Sequence, residues 1–250
     1  WLNNVKEPIE KAVAEGRLVI AGDVLEDPAT NAGEGLWIPR YMLQATPELA
    51  TIEGIKKNPH LFKDPEDPTK GRIIGCPSGW ACQIVIDNLF KAFEMKQAGF
   101  NLVDPGSGAA LAGAITKAYN RGEGVISYYW APTSLLSKLD MVRVDLDPHN
   151  AKEFVECIGV LGCPDPKPNS FATSDIKTVV AADFAKRNPQ AMAYLKARVW
   201  SPEDFGAVLE FMEQEQADGQ VAAEWFLQNR PEAWSQWVPA EIAAKIKAAL

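Results

Sequence analysis

Histidine is nearly missing: His60 and His149 are the only two in 250 residues, too few for catalysis or metal binding built on clustered imidazoles. The chain has no G-x-S-x-G turn, no P-loop, no H-E-x-x-H and no G-x-G-x-x-G after a strand. These absences remove the local signatures of α/β-hydrolases, phosphate-cradling NTPases, zincins and dinucleotide binders. Basic residues are in deficit, with 25 Lys+Arg against 33 Asp+Glu and a net charge of −8. Nucleic acids and anionic membranes select for clustered Lys and Arg, so neither is an expected partner. No apolar run reaches the roughly 18 residues that a bilayer-spanning helix needs. There is no initiator Met and no signal-peptide pattern, so the chain reads as processed or truncated.

What is present fits an ordinary globular protein: 47% hydrophobic and 23% charged residues. The length suits one large α/β domain or two lobes. Tryptophan is abundant, with eight residues, and the four Cys form two C-x5-C pairs, Cys76/Cys82 and Cys157/Cys163. Neither pair has the C-x2-C spacing of a zinc site. Short spacings around Gly and Pro fit small disulfide loops and an oxidising compartment. The alternative is four reduced thiols packed as small hydrophobes.

Strand and helix patterns alternate. A helix over Lys6–Glu15 precedes a strand at Arg17–Ala21, and Glu34–Tyr41 reads as extended, with Pro39 placing it at an edge or a crossing. Thr51–Asn58 reads as a helix capped by Thr51. Strands at Arg72–Cys76, Asn101–Val103, Gly124–Trp130 and Met141–Leu146 are separated by helices at Cys82–Glu94, Ala109–Tyr119 and Thr133–Leu139. Beyond Ser174 the pattern is helical: Ile176–Asn188, Gln190–Leu195, Pro202–Gln216 and Val221–Asn229. Such alternation predicts parallel pairing in an α/β fold.

Three features bear on function. The turn Asp104-Pro105-Gly106-Ser107-Gly108 enters a helix, where backbone N–H groups can receive an anion or Ser107 can simply cap. The loop at 58–70 carries Asp64, Glu66 and Asp67 among three prolines, oxygen ligands of the kind Ca²⁺ takes, with Asp64 and Asp67 the first candidates. Most telling are the aromatics in GLWIP, CPSGWAC and SYYWAP, which put Trp37, Trp80, Tyr128, Tyr129 and Trp130 at strand ends and loops. Aromatic faces converging there suit a cation without hydrogen-bond donors, above all a quaternary ammonium. Tyr128 and Trp130 point to one side of their strand and Tyr129 to the other. Trp200, Trp225, Trp234 and Trp237 read as core.

The stretches GRIIGCPSGWACQIVIDNLFKAF and FNLVDPGSGAALAGAITKAYNRGEGVISYYWAPTSLLSKLDMVRV resemble the glycine betaine/choline-type substrate-binding proteins of ABC importers. The likeness extends from Trp1 to about Asp147. It implies an α/β, two-lobed periplasmic binding protein fold (type II), with ligand held in the cleft between lobes by Trp and Tyr. The lobes would be 1–36 with 131–250, and 37–130. Carried over, Trp37 matches the aromatic of the first crossing strand, Trp80 the G-W of a second-lobe loop, and Trp130 the Trp of the returning strand. Trp1 matches the W of a pocket-lining segment. The family also implies a further stretch before Trp1, bearing a signal peptide, the first strand of lobe one and one more pocket aromatic.

Glu34, three residues before Trp37, bears on which ligand is bound. A pocket carboxylate repels a betaine, but accepts a hydrogen bond from choline or a protonated N-oxide and attracts the cation. In this respect the sequence is most similar to the trimethylamine N-oxide-binding branch, with glycine betaine or choline as the alternative. The implied partner is a membrane permease, the implied location periplasmic or otherwise extracytoplasmic, and no cofactor is required beyond a possible Ca²⁺ in the 58–70 loop. An enzyme is the remote alternative: a serine hydrolase using Ser78 or Ser107 needs a base, and neither His60 nor His149 sits in a segment resembling a triad partner.

Overall fold

The computed structural model describes residues 6–26, 33–172 and 175–250. Two compact units emerge, one comprising Trp1–Gly33, Ala131–Ser137 and Thr173–Leu250, the other Glu34–Trp130 and Lys138–Ala172.

In the second unit, the described residues form a five-stranded sheet. Its strands are β2 (Gly33–Pro39), β3 (Gly71–Ile74), β4 (Phe100–Val103), β5 (Ile126–Ala131) and β6 (Met141–Arg143), in the order β4-β3-β5-β2-β6. β3 pairs in parallel with β4 and β5, whereas β6 runs antiparallel to β2 with Arg143 opposite Trp37. Parallel neighbours need crossover helices, supplied by Ala81–Ala92 between β3 and β4 and Gly108–Asn120 between β4 and β5. The first buries Cys82, Val85, Ile86 and Leu89, the i, i+3, i+4, i+7 face of an amphipathic helix. The second buries Leu111, Ile115 and Ala118 and starts at Ser107, whose Oγ accepts from Ala110 N at 3.1 Å. Each large apolar side chain so buried stabilises by about 1.5–3 kcal/mol. Thr51 likewise caps Ile52–Lys57, its Oγ1 accepting from Gly54 N at 3.2 Å.

The first unit contains an antiparallel pair, β1 (Leu18–Asp23) with β7 (Lys177–Ala181), and a helical segment. Trp234, Trp237, Phe226 and Ala243 form a buried cluster, with Trp200 and Trp225 packed against it. All four C-terminal Trp residues are therefore core.

The structure departs from the sequence reading in three places. The helix predicted over Ile176–Asn188 is a strand for its first part, becoming helical only at Ala182–Arg187. Thr178, Val179 and Val180 are β-branched, and pairing with β1 settles the conflict for the strand. Of the edge and crossing placements read for the Pro39 strand, the edge is not adopted: β2 lies between β5 and β6, and Pro39 is tolerated as its last residue. Residues Lys138–Ala172 pack in the second unit rather than with the 131–250 segment, and Glu34 also falls in the second unit. β6 is hydrogen-bonded to β2, and the helical turn Phe154–Ile158 packs on the Ala81–Ala92 helix.

Candidate functional site

All the predicted site residues that the structure describes lie in the second unit; Trp1 lies outside the described residues. β2 and β5 are adjacent, which brings GEGLWIP beside ISYYWA. Tyr128 donates its hydroxyl hydrogen to Glu34 Oε1 at 2.6 Å, with Tyr128 2% and Glu34 8% exposed. Burial, then the charge and hydrogen bond of Glu34, push the Tyr128 phenol far above its ordinary range, so it stays protonated and donating. Phe171 packs against the same phenol, centroids 5.9 Å apart.

Trp130 links the aromatics. Its ring stacks on Tyr129 at 4.5 Å and 21°, meets Trp80 edge-on at 5.5 Å and 67°, and lies 6.2 Å from Tyr128. Contrary to the simple alternation along the strand, the Trp130 ring is nearer to Tyr129 than to Tyr128. Alternation sets the Cβ direction, while the side-chain torsions of a long indole decide where the ring rests. Trp37 joins through its indole N–H, which donates to the Tyr129 carbonyl at 3.1 Å. With that N–H used, the ring is held against β5 and presents π surface rather than a donor. Trp37 and Trp130 are half-buried, and Trp80 is 41% exposed. Gly35 permits this close layering: a Cβ there would lie 2.7 Å from the Arg143 side chain.

Trp80 sits in the loop between β3 and the Ala81–Ala92 helix, closed by the Cys76–Cys82 disulfide. The Asp104 carboxylate ties this loop to the Gly-rich turn, accepting from Ser78 N at 3.3 Å, from Ser78 Oγ, and from Gly106 N at 2.7 Å. Those hydrogen bonds hold the Asp104 carboxyl below its usual range. Trp80 also rests on Gly108, where a Cβ would stand 3.0 Å from the ring. Sequence reasoning missed Asp104 and Phe171 as parts of this cluster, and set Tyr129 on the side of the strand away from Trp130, on which it stacks. Asp104 stood in a turn already noted; Phe171 carried no local signal.

Asp64, 3% exposed, accepts from Asn101 Nδ2 at 2.9 Å and Glu66 N at 3.0 Å, while Asp67 accepts from Thr69 Oγ1 at 2.6 Å and pairs with Lys70 at 3.3 Å. No group of three His, Cys, Asp or Glu suited to a metal forms among the described residues. These carboxylates accept hydrogen bonds within the loop. Cys157 and Cys163 form the second disulfide. Ser78 is held by Asp104 and Ser107 caps a helix, while His149 bonds the Ser170 carbonyl at 3.2 Å, so no serine–histidine pair is assembled from these groups.

The model of the substrate-binding domain of ABC-type glycine betaine transport systems matches residues 1–229. The glycine betaine/proline betaine-binding periplasmic protein of Salmonella typhimurium is 22% identical over 198 residues, 76% of this chain and 59% of the relative. The glycine betaine-binding periplasmic protein OusX of Dickeya dadantii is 27% identical over 146 residues, 54% of this chain and 42% of the relative. The chain thus spans less than two thirds of the length of these two curated relatives. Among solved structures, the ProX protein of Borrelia burgdorferi superposes with a TM-score of 0.65 at 18% identity, covering 96% of this chain and 77% of that one. A choline-binding protein of an ABC transporter in complex with choline gives 0.64 at 16% identity, covering 98% and 77%. These likenesses establish the fold, that of the type II periplasmic binding proteins. With the family model covering most of its length, the chain belongs to the substrate-binding domains of ABC-type glycine betaine transport systems.

Proposed function

We propose that the protein captures a small methylated ammonium compound on the faces of Trp37, Trp80 and Trp130, with the buried Tyr128–Glu34 pair behind them, and hands it to an ABC permease outside the cytoplasm. The observation that carries this reading is the Trp130 cluster, in which partly exposed indoles pack with Tyr128, whose phenol holds the buried Glu34 carboxylate. A tetraalkylammonium donates no hydrogen bond and is recognised by such faces. The two disulfides agree with an oxidising compartment. Each desolvated cation–π contact contributes at most about 2 kcal/mol. Three such contacts supply at most about 6 kcal/mol, so the roughly −8 kcal/mol of a micromolar Kd also draws on attraction to the Glu34 carboxylate and on preorganised faces.

Relatives named for glycine betaine and choline make those two compounds the first ligands to test. Trimethylamine N-oxide is the second reading, favoured by Glu34: a buried carboxylate opposes the carboxylate of a betaine and attracts a ligand lacking one. Titration calorimetry with glycine betaine, choline and trimethylamine N-oxide separates the three. Saturable binding to one of them, weakened by about tenfold or more in Trp130→Ala, is the expected result. Unaltered binding by Trp130→Ala removes the aromatic cluster from the ligand site. Betaine binding unaffected by Glu34→Ala removes Glu34 from ligand choice.

A further inference from the structure

We infer that the Cys76–Cys82 disulfide is a positioning device for Trp80, setting ligand affinity by holding the indole in place before the ligand arrives; this rests on the ligand-binding reading above. Both sulfur-bearing residues are buried, at 2% and 4% exposure, whereas Ser78, Gly79, Trp80 and Ala81 between them are exposed. The anchors therefore belong to the core, and the segment carrying the indole projects from it.

Left open, this segment would be mobile. Gly79 adopts φ +87 with open space around its α-carbon, a residue type and site of low steric restraint. Trp80 stands at the start of the helix with no side-chain capping bond of its own. Three restraints oppose that freedom: the disulfide, the Asp104 carboxylate on Ser78, and Gln83 Oε1, which accepts from Gly79 N at 3.2 Å. The covalent one limits both ends of the loop at once. A side chain ordered in advance is not ordered at the expense of binding, a gain on the order of tenfold in affinity for one large side chain.

The second disulfide provides the control. Cys157–Cys163 is held to the same helix by Asn88, whose Nδ2 lies 2.9–3.2 Å from the carbonyls of Cys157, Ile158 and Val160. It encloses no aromatic of the site.

The test is a double-mutant cycle on the full chain with choline and glycine betaine as probes, read by titration calorimetry beside thermal unfolding. Cys76→Ser/Cys82→Ser is expected to weaken binding by about tenfold in the parent, but by less than about twofold when Trp80→Ala is already present. Cys157→Ser/Cys163→Ser is expected to leave affinity within about twofold. Equal losses with and without Trp80 overturn the inference, because a general structural role would not depend on the indole. Should the double serine variant fail to fold, thiol reduction in the Cys157→Ser/Cys163→Ser background, with and without Trp80→Ala, opens the same disulfide: loss only with Trp80 present supports the inference, and equal loss overturns it. If the parent binds neither probe nor trimethylamine N-oxide, the ligand-binding reading falls and takes this inference with it. If the parent binds and the losses are additive, this inference falls alone.

Discussion

Tyr128 and Glu34 stand 94 residues apart in the chain, yet one hydrogen bond of 2.6 Å joins phenol to carboxylate with both side chains out of water. A buried carboxylate depends on such a donor, since an unpartnered charge in a low-dielectric interior is strongly unfavourable. Tyr128→Phe is expected to destabilise the fold by about 1.5–3 kcal/mol, the range for hydrogen bonds to charged groups. Chemical denaturation measures it; an unchanged midpoint would mean the pair contributes nothing net. The alkaline limb offers a second check. The native phenol keeps its proton above the pH at which the unfolded one loses it, near 10.0. Its contribution is therefore complete below pH 10 and declines as pH rises above it, a decline absent from Tyr128→Phe.

Asp64 governs the opposite end of the pH scale. Burial alone would raise its pKa, but the Asn101 amide, the Glu66 N–H and the nearby Arg72 together hold the carboxyl below 3.8. Its contribution is present above pH 3.8 and is lost as pH falls through the lower native value. Asp64→Asn is expected to flatten that acid loss and to cost about 1–3 kcal/mol at neutral pH, because the amide keeps one acceptor oxygen and sets its NH2 against the other donor, Asn101 Nδ2 or Glu66 N. Melting of the unsubstituted chain is expected to be the same with and without a chelator; a fall in melting temperature on chelation would restore an ion to the 58–70 loop.

Gly108 tests the Trp80 position from the other side. A Cβ at Gly108 would reach to 3.0 Å from the Trp80 ring, and a ring at the end of a side chain yields more readily than backbone. Gly108→Ala should therefore fold normally but push the indole aside. The expected loss is about 1 kcal/mol of binding, roughly fivefold in Kd, with little change in melting temperature. Undiminished affinity would show that the indole position at this contact is not critical.

Ser127 carries a different prediction. Its Oγ is fully buried and has no hydrogen-bond partner among the described residues. An unsatisfied buried hydroxyl costs free energy, so Ser127→Ala is expected to stabilise by about 1 kcal/mol, raising the denaturation midpoint. A clear drop in that midpoint would reveal a partner for this hydroxyl.

The sequence by itself determined the elements whose causes are local. Thr51 and Ser107 cap the helices they precede, because a hydroxyl two or three residues before an N–H reaches it without help from the rest of the chain. The Cys76–Cys82 and Cys157–Cys163 pairs, each six positions apart, lie within reach of one turn. The amphipathic face of Ala81–Ala92 was equally legible, since its period needs no knowledge of what covers it. The aromatic residues of GLWIP, CPSGWAC and SYYWAP were visible as types but not as an arrangement.

Only the tertiary structure decided the rest. Lys177–Ala181 is a strand because β1 offers it a partner, overriding a helical reading of a short apolar segment. Lys138–Ala172 joins the second unit because β6 completes the sheet beside β2. Trp37 is fixed by a carbonyl 92 residues away, and Phe171 reaches Tyr128 from a segment with no local signal of its own. Local chemistry chooses caps, loops and periods, whereas strand partners and long-range contacts depend on which surfaces are buried together. Long-range pairing therefore decided which of the predicted aromatics lie together.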